Sequence, residues 1–151
     1  MSLNEICLRY AQGEVFNCDK RFRVLVAGRR FGKSYLSCIE LLRGAINRPG
    51  EVYFYCAPTY RMAKDIAWKE LKRLTPRTWV QSKNETDLRL DLINGSSIEL
   101  KGTENAMAPD GTASWFYDMW CFCGEQEWDD WQRWSFTTVE GGNVAKEEVE
   151  A

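Results

Sequence analysis

The sequence contains no histidine. That absence removes the side chain that most often serves as general base near neutral pH, and with it every Ser-His-Asp or Cys-His mechanism. No apolar run approaches the ~20 residues needed to span a bilayer, so no membrane association is expected. No Cys-x-x-Cys pair occurs among Cys7, Cys18, Cys38, Cys56, Cys121 and Cys123. Cys121-Phe-Cys123 is a candidate pair for a soft metal, but with no histidine and no second close pair a metal site lacks the rest of its ligand pattern. The scattered thiols, and an N-terminus without a basic start and apolar core, point to a reducing compartment. Cys38 and Cys56 lie in strongly apolar segments and are expected in the core. Internal repeats and low-complexity segments are also absent.

What is present is a chain of 151 residues with 44% apolar content, enough for one core and a single domain. Its net charge of -2 hides a division. Residues 1–83 carry 16 Lys and Arg against 7 Asp and Glu, whereas residues 84–151 carry 4 against 15. The first part suits a polyanion and the second does not.

Residues 3–12, LNEICLRYAQ, have the pattern of a short amphipathic helix with Gly13 as its stop. RFRVLVA, residues 21–27, is apolar and β-branched enough for a strand covered on both faces. From Lys33, the positions Leu36, Ile39, Leu42 and Ile46 recur at helical spacing until NRPG ends the helix. EVYFYCAP, residues 51–58, reads as a second strand. A second helix, about Tyr60 to Leu74, is expected to bury Ala63, Ile66, Ala67 and Leu71 and to expose Arg61, Lys64, Lys72 and Arg73. Strand, helix, strand, helix in this order marks a right-handed α/β unit. Residues 87–102 then alternate polar and apolar about Asn94-Gly95, a strong hairpin signal. Beyond a loop, SWFYDMWCF reads as a short helix and WQRWSFTTV as a strand, before EGGN breaks the chain. Trp115, Trp120, Trp128, Trp131 and Trp134 crowd into twenty residues. Their surroundings are acidic, so core packing is the better reading than base stacking.

The chemistry concentrates in AGRRFGKS, residues 27–34, between the first strand and its helix. The phosphate-loop pattern G-x-x-x-x-G-K-[ST] uses glycines so that backbone N–H groups can wrap phosphates, a lysine for the outer phosphates and a hydroxyl for magnesium. Gly32-Lys33-Ser34 fits, but Ala27 stands at the first glycine position and the glycine has moved to Gly28. Arg29 and Arg30 are placed to stabilise charge in phosphoryl transfer or to sense a γ-phosphate, an effect worth about 10³ to 10⁵ in rate when well positioned. The plainer alternatives are a basic turn capping a helix and arginines that are paired or solvated.

VLVAGRRFGKS, YFYCAPTYRMAKDIAWKEL, NGSSIELKGTENA and WSFTTVEGGNV together resemble the large terminase subunit of tailed double-stranded DNA bacteriophages. The resemblance implies an α/β, P-loop NTPase-like three-layer sandwich with a mostly parallel sheet plus a β-hairpin. Residues 1–139 would be a partial ATPase domain and residues 140–151 the start of an acidic helical tail, with the nuclease domain absent. It implies ATP and Mg2+ as cofactors, bound by the loop Ala27, Gly28, Arg29, Arg30, Phe31, Gly32, Lys33 and Ser34. Lys33, Arg29 and Arg30 take the catalytic roles and Ser34 the metal. Gln12 falls where the family reads adenine, with an exposed glutamine as the plain alternative. Thr59, Arg61 and Lys64 are the DNA-facing or coupling residues, where a solvated basic face is equally ordinary. Implied partners are double-stranded DNA, the portal protein and the small terminase subunit, with a possible homo-oligomeric ring. The implied location is the host cytoplasm, outside the virion.

One departure qualifies the resemblance. Phosphate-loop ATPases need a second strand ending in Asp-Glu, and no apolar run between Ala106 and Thr112 ends that way. WFYDMW contains only Asp118, and Asp129-Asp130 have no β segment before them. The chain reads as internally deleted, which predicts hydrolysis impaired by about 10² to 10⁴. The missing strands would also leave buried backbone groups of the loop-bearing strand without partners, at about 1 to 3 kcal/mol each. The expected function is therefore an ATP-binding motor module for packaging DNA into a capsid, with weakened turnover. The alternatives are a helicase-like ATPase and a non-catalytic nucleotide-binding or assembly module.

Overall fold

The computed structural model describes residues 6–103 and 129–141. The expected loop after residue 103, the helix SWFYDMWCF, Trp115, Trp120, Trp128, Cys121 and Cys123 lie outside them. The described residues form two compact units, one built from residues 7–33 and 129–141, the other from residues 34–103 with Ile6.

In the unit that carries the loop 28–32, α1 spans Tyr10–Phe16 and β1 spans Phe22–Ala27. The helix starts later than its sequence pattern suggests and runs through Gly13, whose N–H donates to the Arg9 carbonyl at 2.8 Å. A glycine lowers helix propensity without forbidding a turn, and here the buried stripe Ala11, Gln12 and Val15 supplies the packing that offsets it. β1 pairs in parallel with β6, Trp131–Phe136, in register from Phe22 opposite Trp131 to Ala27 opposite Phe136. The expected loss of partners along β1 is thus made good on one edge, where β6 supplies a full run of hydrogen bonds. Coverage on both faces is not seen: Val24 alone of β1 is buried, and Phe22 and Val26 are each 39% exposed. Trp131 stacks on Phe22 with ring centroids 4.5 Å apart, yet it and Trp134 are only half-buried, not core.

The other unit holds the larger core. Helix α2, Lys33–Asn47, follows the spacing read from the sequence and buries Leu36, Ile39 and Leu42, together with Cys38 and Ala45. Strand β2, Val52–Ala57, pairs in parallel with β5, Ser97–Gly102. β5 pairs antiparallel with β4, Arg89–Leu92, through the Asn94-Gly95 turn, and β4 pairs with β3, Val80–Asn84. The strand order is β2-β5-β4-β3. β3 carried no clear sequence signal, because four of its five side chains are exposed and no apolar alternation is needed there. β1 and β2 belong to different hydrogen-bonded sheets, so the first α/β repeat does not place its two strands in one ladder.

The helix from Tyr60 to Leu74 is divided into α3, Tyr60–Met62, a π-helical segment Ala63–Trp68, and α4, Lys69–Leu74. A π turn takes more residues than an α turn and rotates the side chains that follow. That rotation turns Trp68 inward to 1% exposure and leaves Ile66 44% exposed, correcting the expectation that Ile66 is core. Ala63, Ala67 and Leu71 are buried as expected, beside Leu88, Leu90, Leu92, Ile98 and Leu100 from the hairpin. Cys38 joins that core, but Cys56 is exposed, because alternate positions of the edge strand β2 face outward.

Candidate functional site

The loop after β1 is shaped by a run of alternating backbone signs. Arg30 has φ 62° and Gly32 φ 89°, while Phe31 between them is not in the left-handed region. Alternation of this kind turns successive N–H groups toward a common point and makes an anion-binding concavity. Gly32 supplies its conformation freely, whereas Arg30 adopts it at a steric cost of roughly 1–2 kcal/mol.

Lys33 folds back over the loop. Its ammonium Nζ donates to the carbonyl oxygens of Ala27 at 2.6 Å and Gly28 at 2.9 Å. The Arg29 and Arg30 side chains lie on the exposed side of the same loop. Gly28 approaches the turn after β6 so closely that a Cβ there would lie 2.6 Å from the Thr138 nitrogen. Its own N–H donates to the Phe136 carbonyl at 3.0 Å. That turn is braced in turn: Thr137 N–H donates to Glu140 at 2.6 Å, and Glu140 N–H donates to the Thr137 hydroxyl at 3.3 Å. The Thr137 N–H first, and the Thr137 hydroxyl after it, hold the Glu140 carboxyl below its usual range.

Gln12 is buried, not solvated as in its plain reading. Its Oε1 accepts from the Arg9 N–H at 3.0 Å, and its Nε2 donates to the Phe31 carbonyl at 2.9 Å. The amide group thereby ties α1 to the loop after β1. Ser34, the next residue after Lys33, belongs to the other compact unit, where its hydroxyl hydrogen-bonds Tyr55. Burial pushes the Tyr55 phenol up, Cys38 nearby adds to that, and the bond with Ser34 opposes it. Among the described residues no group of three or more Cys, Asp or Glu could hold a metal ion.

Thr59, Arg61 and Lys64 also lie in that second unit. Thr59 caps α3, its hydroxyl accepting from the Met62 N–H at 3.1 Å. Arg61 is an exposed cation 3.6 Å from Asp65, and Lys64 is exposed. Lys69, Lys72 and Arg73 continue the basic surface along α4, each within 4.0 Å of a carboxylate. Thr59 thus has a structural task, while the cations retain only weak, screened partners.

Sequence reasoning pointed to Gly28, Gly32 and Lys33 but not to Phe136, Thr138 and Gly141, which lie against the loop. These are separated from it by more than a hundred residues, and the threonines and glycines after a strand-like segment were their only local signal.

The described elements make a mixed α/β fold with one parallel two-stranded sheet and one mixed four-stranded sheet. Among solved structures the chain is similar to the large terminase ATPase domain of Thermus phage P74-26, with a TM-score of 0.53 and 20% identity, over 87% of this chain and 65% of that one. The chain thus spans 65% of the length of the domain it resembles. No family model matches, and no curated protein matches. Among the described residues no helix is long and apolar enough to cross a membrane.

Proposed function

We propose that this chain is an ATP-binding motor module of the phage large-terminase type, acting in the packaging of double-stranded DNA, with weakened hydrolysis. The observation that carries it is the loop itself: an alternating left-handed backbone between β1 and α2 with the Lys33 ammonium held at its mouth. In this reading Lys33 exchanges two carbonyl oxygens for phosphate oxygens, a stronger, charge-assisted bond. Arg29 and Arg30, already exposed, neutralise the remaining phosphate charge. Ser34 leaves Tyr55 to ligate Mg2+, which supplies the Lewis-acid stabilisation of the phosphate oxygens. Gln12 contributes by holding the loop. The exposed Arg61 and Lys64 give DNA a salt-sensitive contact surface. The portal protein, the small terminase subunit and a ring of copies remain proposals from the likeness to packaging motors, as does a host-cytoplasm location.

Calorimetric titration with Mg-ATP tests the reading. Uptake that Lys33→Ala weakens at least about tenfold is expected, since a charge-assisted bond is lost. No uptake by folded protein overturns it. A second reading, a nucleotide-binding assembly module without turnover, is favoured by the missing Asp-Glu strand; binding with no phosphate release would select it. DNA-stimulated turnover would instead favour a motor or a helicase-like ATPase.

A further inference from the structure

We propose that Phe31 is the positioning residue of the phosphate loop: a side chain that faces away from any ligand and sets the shape in which the loop receives a polyphosphate. The inference rests on the nucleotide reading above for the identity of the ligand, but its own evidence is separate. In Arg29-Arg30-Phe31-Gly32-Lys33 the cations are exposed and Phe31 is 0% exposed. Its ring stacks on Phe136 at the end of β6, with centroids 5.4 Å apart and planes 17° from parallel. Its carbonyl accepts the Gln12 Nε2 bond at 2.9 Å. Gly141 makes room on another side, since a Cβ there would come within 3.0 Å of the ring and 3.1 Å of the Phe31 Cα.

Three elements distant in sequence therefore hold one residue at the tip of the loop. The left-handed Arg30 is unfavourable in isolation and persists only if its surroundings over-determine it. Burial of a whole phenyl ring next door is the available compensation. If the ring were removed, Arg30 would relax toward ordinary backbone and the N–H groups would diverge. Phe31 thus acts on the ligand through the main chain, and Phe136 and Gln12 act through Phe31.

Limited trypsin digestion reads loop order without nucleotide, because Arg29 and Arg30 lie in the loop and cleavage there follows local opening. Phe31→Ala is expected to raise cleavage after Arg29 and Arg30 about tenfold and to weaken Mg-ATP binding by a similar factor, while Phe31→Leu retains most of both. Val24→Ala, in the core of the same unit but outside the loop, should lower the melting temperature and leave both readouts at the parent level. Should Phe31→Ala fail to fold, Phe136→Leu replaces it, keeping apolar volume and removing the stack; a cleavage rise of about threefold is expected. Unchanged cleavage in the folded variant, or an equal rise in Val24→Ala, overturns the proposal whatever the parent binds. Raised cleavage in the Phe31→Ala variant of a parent that takes up no Mg-ATP overturns the nucleotide reading and leaves the role of Phe31 in shaping the loop in place.

Discussion

Gly28 and Thr138 lie so close that no side chain fits between them: a Cβ on Gly28 would meet the Thr138 hydroxyl, nitrogen and Cα, the last at 2.9 Å. Two of those three atoms belong to backbone and cannot rotate aside. Gly28→Ala should therefore destabilise by about 1–3 kcal/mol, the usual range for overpacking, and should weaken nucleotide binding in parallel. Gly13 presents the opposite case, with nothing within 4 Å of its would-be Cβ and no left-handed φ. Gly13→Ala should stabilise by roughly 0.5–1 kcal/mol through helix propensity and a less disordered unfolded chain. Thermal unfolding of the two variants measures both, and a stable Gly28→Ala protein would contradict the packing described.

The Asn94 side chain links the hairpin turn to the end of α2. Its Nδ2 donates to the Ala45 and Ile46 carbonyls at 2.8 and 3.3 Å, and its Oδ1 accepts from the Ser96 N–H at 3.1 Å. Helix-end carbonyls lack partners of their own. Asn94→Ala should cost about 1–2 kcal/mol, as two or three such bonds of modest net worth are lost. Denaturant unfolding would show the midpoint falling, with the slope preserved if the fold is otherwise intact.

Burial, with a smaller push from the Glu70 charge, drives the Cys38 thiol up to about 12. At pH 8 only about one molecule in 10⁴ would carry the reactive thiolate there. Cys7 and Cys56 are exposed. Alkylation followed by peptide mapping should therefore label those two readily in native protein and Cys38 only after denaturation. Native labelling of Cys38 at the rate of Cys56 would show that the core around α2 opens.

Glu85 accepts a bond from the Trp68 indole N–H at 2.6 Å and two from the Lys72 ammonium. Both partners, the indole first, hold its carboxyl below the ordinary glutamate range. A carboxylate with a depressed folded-state pKa contributes stability above its unfolded pKa and loses it as pH falls through the folded value. The melting temperature of the parent should thus exceed that of Glu85→Gln at pH 7, modestly because the site is solvent-facing. The gap should close on acidification below the normal glutamate range. A gap that stays constant down to pH 3 would mean the charge contributes nothing.

Helix α2 and the hairpin were legible because their signals are local. Apolar spacing of three and four residues, Pro49-Gly50 as a stop and Asn94-Gly95 as a turn need no knowledge of distant partners. The division of the helix from Tyr60 was not legible, since a π turn leaves composition unchanged and shows only in which face is buried. The exposure of Cys56 and the half-burial of Trp131 and Trp134 escaped for a related reason. Apolar composition reports a tendency to be covered, whereas edge position in a sheet determines whether a cover exists.

The same distinction applies at the loop after β1. The order of glycine, arginine, lysine and serine residues between a strand and a helix was enough to predict a tight, exposed, cationic turn there, because backbone freedom and charge are properties of each residue where it stands. The task of Gln12, the inward direction of Phe31 and the need for glycine at position 28 depended on contacts with residues elsewhere in the chain. Phe136, Thr138 and Gly141 reach the loop only when β6 pairs with β1. Which face of a residue is enclosed follows from long-range pairing, and no local pattern encodes the identity of a neighbour brought from a hundred residues away.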